Sequence, residues 1–202
     1  MPLNASLESI IVLRLPNIPP GDLRADQRAL FDKLRAGIKG HLTGFTTQRP
    51  DGALIGPFTG LLSFPKFGDP TFDLFLALAG GSVLPKEVRE VVILATGGRL
   101  GSMYELYSHE AIASKVGLTQ AKIRTLASGE RPDDLTEAEA IAYDVTAVLH
   151  RGHQVPASLY EAAMSAFSVQ GVAEIAYLIG CYTTICGLTN VFDVDLTGTE
   201  EG

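Results

Sequence analysis

Three polar residues recur at helical spacing in the stretch GSMYELYSHEAIASKVG (101–117): Ser102, Glu105 and His109. At about 100° per residue they fall on one face of a helix, and that face continues into apolar residues. A histidine titrates near neutral pH, and a carboxylate one turn earlier can orient it and stabilise its charged form. The spacing therefore predicts a partly buried proton-transfer site with His109 as the acid or base.

A structural interpretation of the same residues stands beside this one. A serine followed three residues later by a glutamate is a capping box, in which Ser102 and Glu105 satisfy each other's backbone amides at the start of a helix. His109 would then be a single histidine that is satisfied by a hydrogen bond. Both interpretations predict that a helix begins at Ser102.

A second carboxylate lies where an apolar side chain is expected. In EVREVVILA (87–95), Glu90 shares a helix face with Ile93 and Leu94, while Arg89 takes another face. A carboxylate in that position needs a partner. A salt bridge to an arginine, or to a cation of another subunit, explains it as well as catalysis does.

The elements that must position these residues are all helices. A helix is predicted over 24–39, followed by a Gly- and Pro-rich stretch (40–70) that we interpret as a structured loop, and then by successive helices from residue 71 onward. The residues that mark predicted helix ends are Gly80, Gly81, Pro85, Gly117, Thr119, Pro156 and a capping box at Thr136 and Glu139. Because no β alternation is found, the predicted class is all-α with seven or eight helices, the last over 171–190.

Composition excludes several classes of protein. The 202 residues fit a single domain, and 16 Lys and Arg against 23 Asp and Glu give a net charge of −7, which argues against nucleic acid or an anionic membrane as partner. The N-terminus has no signal-peptide pattern, and the apolar stretch 175–192 has no flanking Lys or Arg, so it is predicted to be a buried or interface helix. We expect a cytoplasmic protein whose two cysteines, Cys181 and Cys186, form no disulfide framework.

The stretch REVVILATGGRLGSMYELYSHEAIASKVGLT (89–119) resembles the signature of the carboxymuconolactone decarboxylase family, which includes the alkyl hydroperoxidase D-like proteins. The matching features are Arg89-Glu90, the Glu-x-x-x-His of Glu105 and His109, and Gly117. RPDGALIGPFTGLLSFPKFG (49–68) resembles a further stretch of the longer members. The resemblance covers about residues 45–195, and implies an N-terminal arm and first helix at 1–44, the family's helical domain at 45–195 and a tail at 196–202.

The resemblance also implies an all-helical subunit that forms homo-oligomers, trimers or hexamers, with sites near subunit contacts. The peroxidase branch of the family carries Cys-x-x-Cys-x-x-x-His, and its two cysteine positions are Ser102 and Glu105 here. Neither residue can form a sulfenic acid or a disulfide, so this chain resembles a branch without that redox cycle. Cys181 and Cys186 do not replace the motif, because four residues separate them and they lie in a different apolar helix, where a thiol is typically a packing residue.

The function expected from these residues is a cofactor-independent lyase or isomerase acting on a small carboxylic acid or lactone. His109, Glu105 and Glu90 are the expected catalytic residues. Ser102, Arg49, Tyr107 and Tyr182 are the candidate substrate-binding residues, with Arg49 as a carboxylate grip, although an arginine before Pro50 also fits a surface turn. No metal site is expected, because the H-x-x-H of His150 and His153 lacks a third ligand.

Two alternatives remain at this point. The first is an alkyl hydroperoxidase-related oxidoreductase, which the missing Cys-x-x-Cys disfavours. The second is an oligomeric protein that binds a small apolar molecule without catalysis, in which the polar residues are structural.

Overall fold

The computed structural model describes residues 14–42 and 44–194. A 3₁₀-helix at Pro20–Asp22 precedes eight α-helices: α1 Ala25–His41, α2 Pro57–Ser63, α3 Pro65–Gly81, α4 Lys86–Leu100, α5 Met103–Lys115, α6 Gln120–Ala127, α7 Glu137–His150 and α8 Ala157–Val191. The all-α class is thus confirmed for the part of the chain that is described. The predicted tail at 196–202 and the first 13 residues of the predicted arm lie outside the described residues.

The stretch interpreted as a structured loop at 40–70 holds more helix than predicted. Pro57 and Pro65 each occupy the start of a helix, where the missing N–H costs nothing, so α2 and the first turn of α3 form within it. The remaining loop is described over residues 44–56 and contains an isolated bridge between Gln48 and Leu54. Two of the prolines that indicated a loop, Pro57 and Pro65, are helix starts instead.

The last helix, α8, consists of two helical segments separated by a kink at Ser168. Pro156 is the N-cap of the first segment, as the sequence predicts, and the second segment runs to Val191. Ser168 alone departs from helical geometry, with φ 61° and ψ 175°. The two predicted C-terminal helices are therefore two segments of α8.

Capping predictions from the sequence are confirmed at two helices. Thr119 accepts a hydrogen bond from the Lys122 amide at the start of α6. Thr136 and Glu139 form a reciprocal capping box at the start of α7, with the Thr136 amide 2.8 Å from Glu139 Oε2. The predicted box at Ser102 does not form, for a reason that lies in the site described below.

Helix α4 is the central element of the fold. One side of it, with Val88, Val92 and Ile93, packs into a core shared with α7 and α8. The other side, with Val91 and Leu94, packs into a core shared with α5 and α6. Because α4 packs against other helices on two sides, a buried carboxylate on it, such as Glu90, needs a partner among its surroundings.

A third core joins α1, α2 and α3, and α8 covers several of these elements at once. Among the described helices, α8 is long and apolar enough to cross a membrane by length and composition. Of its most apolar stretch, 44% is buried inside the protein, and the core helix of a globular fold meets the same criteria of length and composition.

Two glycines fix the backbone around the start of α5. Gly101 ends α4 in the left-handed conformation (φ 64°), which allows the chain to turn directly into α5. Gly56 also has positive φ, and a Cβ there would lie 2.3 Å from the Tyr104 ring. Glycine at position 56 therefore lets Tyr104 pack under the loop that precedes α2.

Candidate active site

Glu90, Glu105 and His109 converge at the contact between α4 and α5. Nδ1 of His109 is 2.8 Å from Oε2 of Glu90, and Nε2 of His109 is 3.8 Å from Oε2 of Glu105. Each of the three residues is at most 7% exposed. A carboxylate accepts hydrogen bonds only, so Nδ1 carries the hydrogen toward Glu90 and Nε2 is directed to the Glu105 side.

The two carboxylates hold different positions around the imidazole. Glu90 forms a direct hydrogen bond, whereas Oε1 of Glu105 is buried and receives no hydrogen bond from any described residue. Burial raises the pKa of Glu105 to about 7, with His109 lowering it and Glu90 raising it to smaller extents. Glu105 is therefore divided between its acid and base forms near neutral pH.

The surroundings of His109 raise its pKa, so the imidazole is a stronger base than usual. Burial by itself lowers the pKa of His109, but the charge and the hydrogen bond of Glu90, and then the charge of Glu105, outweigh it and raise the pKa above its usual value. Arg89 acts against them and lowers the same pKa. The surroundings thus favour an imidazolium that can deliver a proton at neutral pH.

An apolar inner cavity lies on the Glu105 side of the imidazole. Its volume is about 20 Å³, which is room for about one water molecule. Glu105, Ser108 and His109 supply its polar groups, and aromatic side chains supply much of the rest. The aromatic lining residues are Phe45, Phe58, Phe72, Phe75, Tyr104 and Tyr182.

A larger outer cavity of about 380 Å³ lies on the Glu90 side. His109, Tyr182, Leu42 and Phe75 line both cavities, so these four side chains form the wall between them. The outer cavity differs from the inner one in its charge. Its basic lining residues are His41, Lys86, Arg89 and Lys115.

Tyr182 of α8, a candidate binding residue from the sequence, lies against the imidazole and lines both cavities. Its ring packs edge-on against the imidazole, with centroids 5.0 Å apart and an interplanar angle of 83°. Burial, together with the charges of Glu90 and Glu105, raises the pKa of Tyr182 well above its usual value. Tyr182 therefore contributes a neutral hydroxyl and an aromatic wall to both cavities.

Ser102 lies next to the site but has a different role from either one predicted for it. Its hydroxyl is 2.8 Å from the hydroxyl of Thr189 on α8, and it makes no cap hydrogen bond to its own helix. Glu105, its predicted partner in the capping box, is directed into the inner cavity instead. Ser102 lines neither cavity and serves as a buried contact between α5 and α8.

The remaining two predicted binding residues lie outside the cavity walls. The Tyr107 hydroxyl accepts a hydrogen bond from the Thr46 amide at 3.3 Å and so holds the loop that covers the inner cavity. Arg49 is in the bridged turn of that loop, with its Nε 4.0 Å from Asp51 Oδ2 and a partly exposed side chain. Arg49 lines neither cavity, so the sequence assignment of Arg49 as a carboxylate grip is not supported by its position.

The cysteines are unsuited to redox chemistry in their surroundings. Cys181 and Cys186 are free and buried in α8. Burial raises the pKa of each thiol to about 12, and the charge of Glu105 adds to the effect. Thiolates, the reactive form of cysteine, are therefore scarce at both positions.

In the residues that the structure describes, no group of three or more His, Cys, Asp or Glu side chains has an arrangement that could hold a metal ion. The H-x-x-H candidates illustrate this. Nε2 of His150 is 3.1 Å from the Thr96 hydroxyl of α4, and burial lowers the pKa of His150. His150 is thus a packing residue at the end of α7.

Comparisons with known proteins show which family and which fold this chain is similar to. Residues 65–148 match the model of the carboxymuconolactone decarboxylase family. Over this segment the chain is similar to that family. The resemblance seen in the sequence is thereby confirmed, over a shorter range than 45–195. The family segment spans α3 to α7 and includes Glu90, Glu105 and His109, whereas Tyr182 lies beyond it.

Solved structures share the fold over nearly the whole chain. A cysteine-to-alanine variant of the debrominase Bmp8 in complex with 2,3,4-tribromopyrrole has 16% identity and a TM-score of 0.67, and the match covers 95% of each chain. The alkylhydroperoxidase AhpD core of an uncharacterized peroxidase-related protein from Ralstonia eutropha JMP134 has 18% identity and a TM-score of 0.67, with 91% and 92% covered. At such identities the likeness shows the fold alone. No curated protein matches the chain.

Sequence reasoning missed the basic lining of the outer cavity. Lys86, Arg89, Glu90 and Ile93 all line it, and they are spaced i, i+3, i+4 and i+7 along α4. This is the spacing of one helix face. The sequence interpretation used only the apolar residues to define the faces of α4. The charged residues Lys86, Arg89 and Glu90 follow the same spacing and would have indicated that all three share a face.

Proposed function

We propose that the protein is a cofactor-independent lyase or isomerase that acts on a small carboxylic acid or lactone, with His109 as proton donor or shuttle. One observation carries the proposal. The imidazole is fixed at Nδ1 by Glu90, while its other nitrogen faces a buried carboxyl group whose Oε1 has no partner among the described residues. An acid–base pair held in an apolar cavity suits proton transfer to carbon.

For a decarboxylation, the bond between the substrate carbon and its carboxylate breaks and CO₂ leaves. The electron pair stays on the substrate, where a conjugated carbonyl accepts it, and the His109 imidazolium then donates a proton to carbon. Water restores the proton to the imidazole. For an isomerisation, His109 and Glu105 remove a proton at one carbon and return it at another.

Each of the three residues has a separate task in this scheme. Glu90 keeps the imidazole in one orientation and stabilises its positive charge. Glu105, with a pKa of about 7, can exchange a proton with the Nε2 side of the ring. Tyr182, which lines both cavities, limits the access of bulk water to the imidazole and to the carbanion beside it.

The test is a panel of unsaturated five-membered lactone acids, assayed in D₂O for CO₂ release and for deuterium in the product. We expect His109→Gln to lower kcat by about 10²- to 10⁴-fold, because general acid–base catalysis contributes rate factors of that size. His153→Gln, an exposed histidine in the turn after α7, is the matched control and should keep full activity. Unchanged turnover in His109→Gln would contradict the proposal.

The same preparation distinguishes the two alternatives. We expect no peroxide reduction with thiol or lipoyl donors, because both thiols are buried and protonated. Peroxide reduction that is lost in the Cys181→Ala/Cys186→Ala variant would favour an oxidoreductase. If the wild type turns over no panel member but is stabilised by an apolar ligand, the protein is a binding protein without catalysis.

A further inference from the structure

The outer cavity has a charge opposite to that of the protein as a whole. The chain carries a net charge of −7, yet the cavity brings Lys86, Arg89 and Lys115 around one carboxylate, Glu90. That carboxylate is already bonded to His109. The cavity therefore attracts anions in a molecule that otherwise repels them.

Arg89 is the cation best placed to hold an anion. Its Nε is buried and makes no hydrogen bond to any described residue. An unsatisfied buried donor is costly unless something outside the chain satisfies it. A guanidinium presents paired N–H donors that match the two oxygens of a carboxylate.

Arg89 is also close enough to the reacting group to affect its charge. Its positive charge opposes protonation of His109 and lowers the pKa of Tyr182. The charged or titratable groups that face His109 are Arg89 and Glu90 from α4, Glu105 from α5 and Tyr182 from α8. Arg89 is the only cation in this set.

We propose that the outer cavity is the carboxylate subsite of the substrate, with Arg89 as the residue that binds the carboxylate and Lys86 as a second cation beside it. This inference rests on the proposed function, from which it takes an acidic substrate. The cavity volume of about 380 Å³ is within the range for small organic ligands. Arg89 and His109 line the same cavity, so a small acid bound at Arg89 shares that cavity with the imidazole.

The subsite also couples binding to protonation. A carboxylate that neutralises Arg89 removes the charge that opposes the His109 imidazolium, so an acidic substrate raises the pKa of the group that is to protonate it. A neutral analogue of the same shape does not have this effect.

The probes are 5-oxotetrahydrofuran-2-carboxylate and benzoate, each compared with its primary amide by isothermal titration calorimetry. We expect both carboxylates to bind the wild type, and Arg89→Gln to weaken that binding at least tenfold. Arg89→Lys should restore part of the loss, because it keeps the charge without the paired donors. Amide binding should be weak and equal in wild type and Arg89→Gln.

Arg49→Gln is the matched control, since it removes an arginine that lines neither cavity, and its carboxylate affinity should equal that of the wild type. Lys86→Gln changes an exposed residue that is not expected to disturb folding, and it should weaken carboxylate binding two- to fivefold. Circular dichroism melts establish that each variant is folded. Absence of carboxylate binding to wild type, or binding unchanged in both Arg89→Gln and Lys86→Gln, overturns the proposal.

A second readout follows the His109 ring by NMR between pH 5 and 9. The pKa of His109 should rise when benzoate binds, and it should already be higher in ligand-free Arg89→Gln than in ligand-free wild type. A ring that titrates identically in all three samples overturns the coupling.

These binding data separate the inference from the proposed function. If Arg89-dependent carboxylate binding is found but no lactone acid is turned over, the subsite stands and the lyase or isomerase proposal fails. If the panel is turned over through His109 while binding is independent of Arg89 and Lys86, the function stands and the subsite fails.

Discussion

The Glu105 carboxyl group occupies a buried position that disfavours its ionised form. It is 4% exposed, one of its oxygens has no partner among the described residues, and burial raises its pKa to about 7. An ordinary buried position would hold an apolar residue, so the site holds a residue that is better suited to chemistry than to stability.

This environment makes stability depend on pH. Between the usual pKa of 4.5 and the folded value of about 7, the folded chain keeps a proton on Glu105 that the unfolded chain has lost. The free energy of unfolding therefore falls as pH rises through that range, by on the order of 3 kcal/mol in total. His109 adds to the trend, because its raised pKa stabilises the fold below pH 6.5 and that stabilisation is lost as pH rises through the folded pKa.

We expect Glu105→Gln to be more stable than wild type at pH 8. Between pH 5 and 7 its free energy of unfolding should fall much less than that of wild type. Urea unfolding at several pH values measures this. Glu110→Gln, on the exposed side of α5, is the control and should keep the wild-type dependence. The assignment is wrong if Glu105→Gln and wild type lose stability equally as pH rises.

At the scale of the element, the loop before α2 is fastened to α5 by two tyrosines. The Tyr104 hydroxyl donates to the Thr46 carbonyl at 2.8 Å, and the Tyr107 hydroxyl accepts from the Thr46 amide at 3.3 Å. Phe45, which lines the inner cavity, packs edge-on against both rings. The inner cavity has room for about one water, so a larger ligand enters it only if this loop shifts.

We therefore expect Tyr107→Phe to loosen the loop. Loss of one hydrogen bond of about 1 kcal/mol should speed exchange of the Thr46 amide by about fivefold, as measured by hydrogen–deuterium exchange. Tyr160→Phe, an exposed tyrosine on α8, should leave that amide unaffected. Equal exchange rates in Tyr107→Phe and wild type would show that the hydroxyl does not hold the loop.

The break in α8 is a second feature at this scale. Ser168 has φ 61° and ψ 175°, a conformation that costs a non-glycine residue about 1–3 kcal/mol. We expect Ser168→Gly to raise the free energy of unfolding by about 1 kcal/mol in a denaturant titration. Ser165→Gly, three residues earlier in regular helix, should lower it by about 0.5 kcal/mol. If both variants are destabilised alike, Ser168 does not carry the backbone strain that its φ value indicates.

At the scale of the whole molecule, large apolar side chains remain on the surface of α8. Val169 and Tyr177 are 65% and 61% exposed, and Tyr177 borders a groove lined by Leu74 and Leu78 of α3. We propose that this face is covered in a homo-oligomer, in keeping with the apolar composition of the chain.

Light scattering coupled to size exclusion should therefore give a mass of more than one chain for the wild type. Tyr177→Lys should lower that mass, because it places a charge in the apolar face. Ser165→Lys adds the same charge at another exposed position of α8 and should not. A wild-type mass of one chain would remove the basis for assembly.

The sequence by itself determined what the local backbone decides. Thr119 and Thr136 cap their helices as predicted, since a cap needs only residues within one turn. Glu105 and His109 share a face because a four-residue separation is nearly one helical turn. The all-α class and the proximity of Glu105 to His109 could therefore be predicted from spacing alone.

Only the tertiary structure decided which partners these residues have. Glu90 meets His109 from another helix, and Ser102 meets Thr189 across 87 positions rather than capping its own helix. Arg49 lies outside the cavities, whereas Arg89 lines one. Such pairings depend on how helices cross and pack, and no local rule of spacing contains that information.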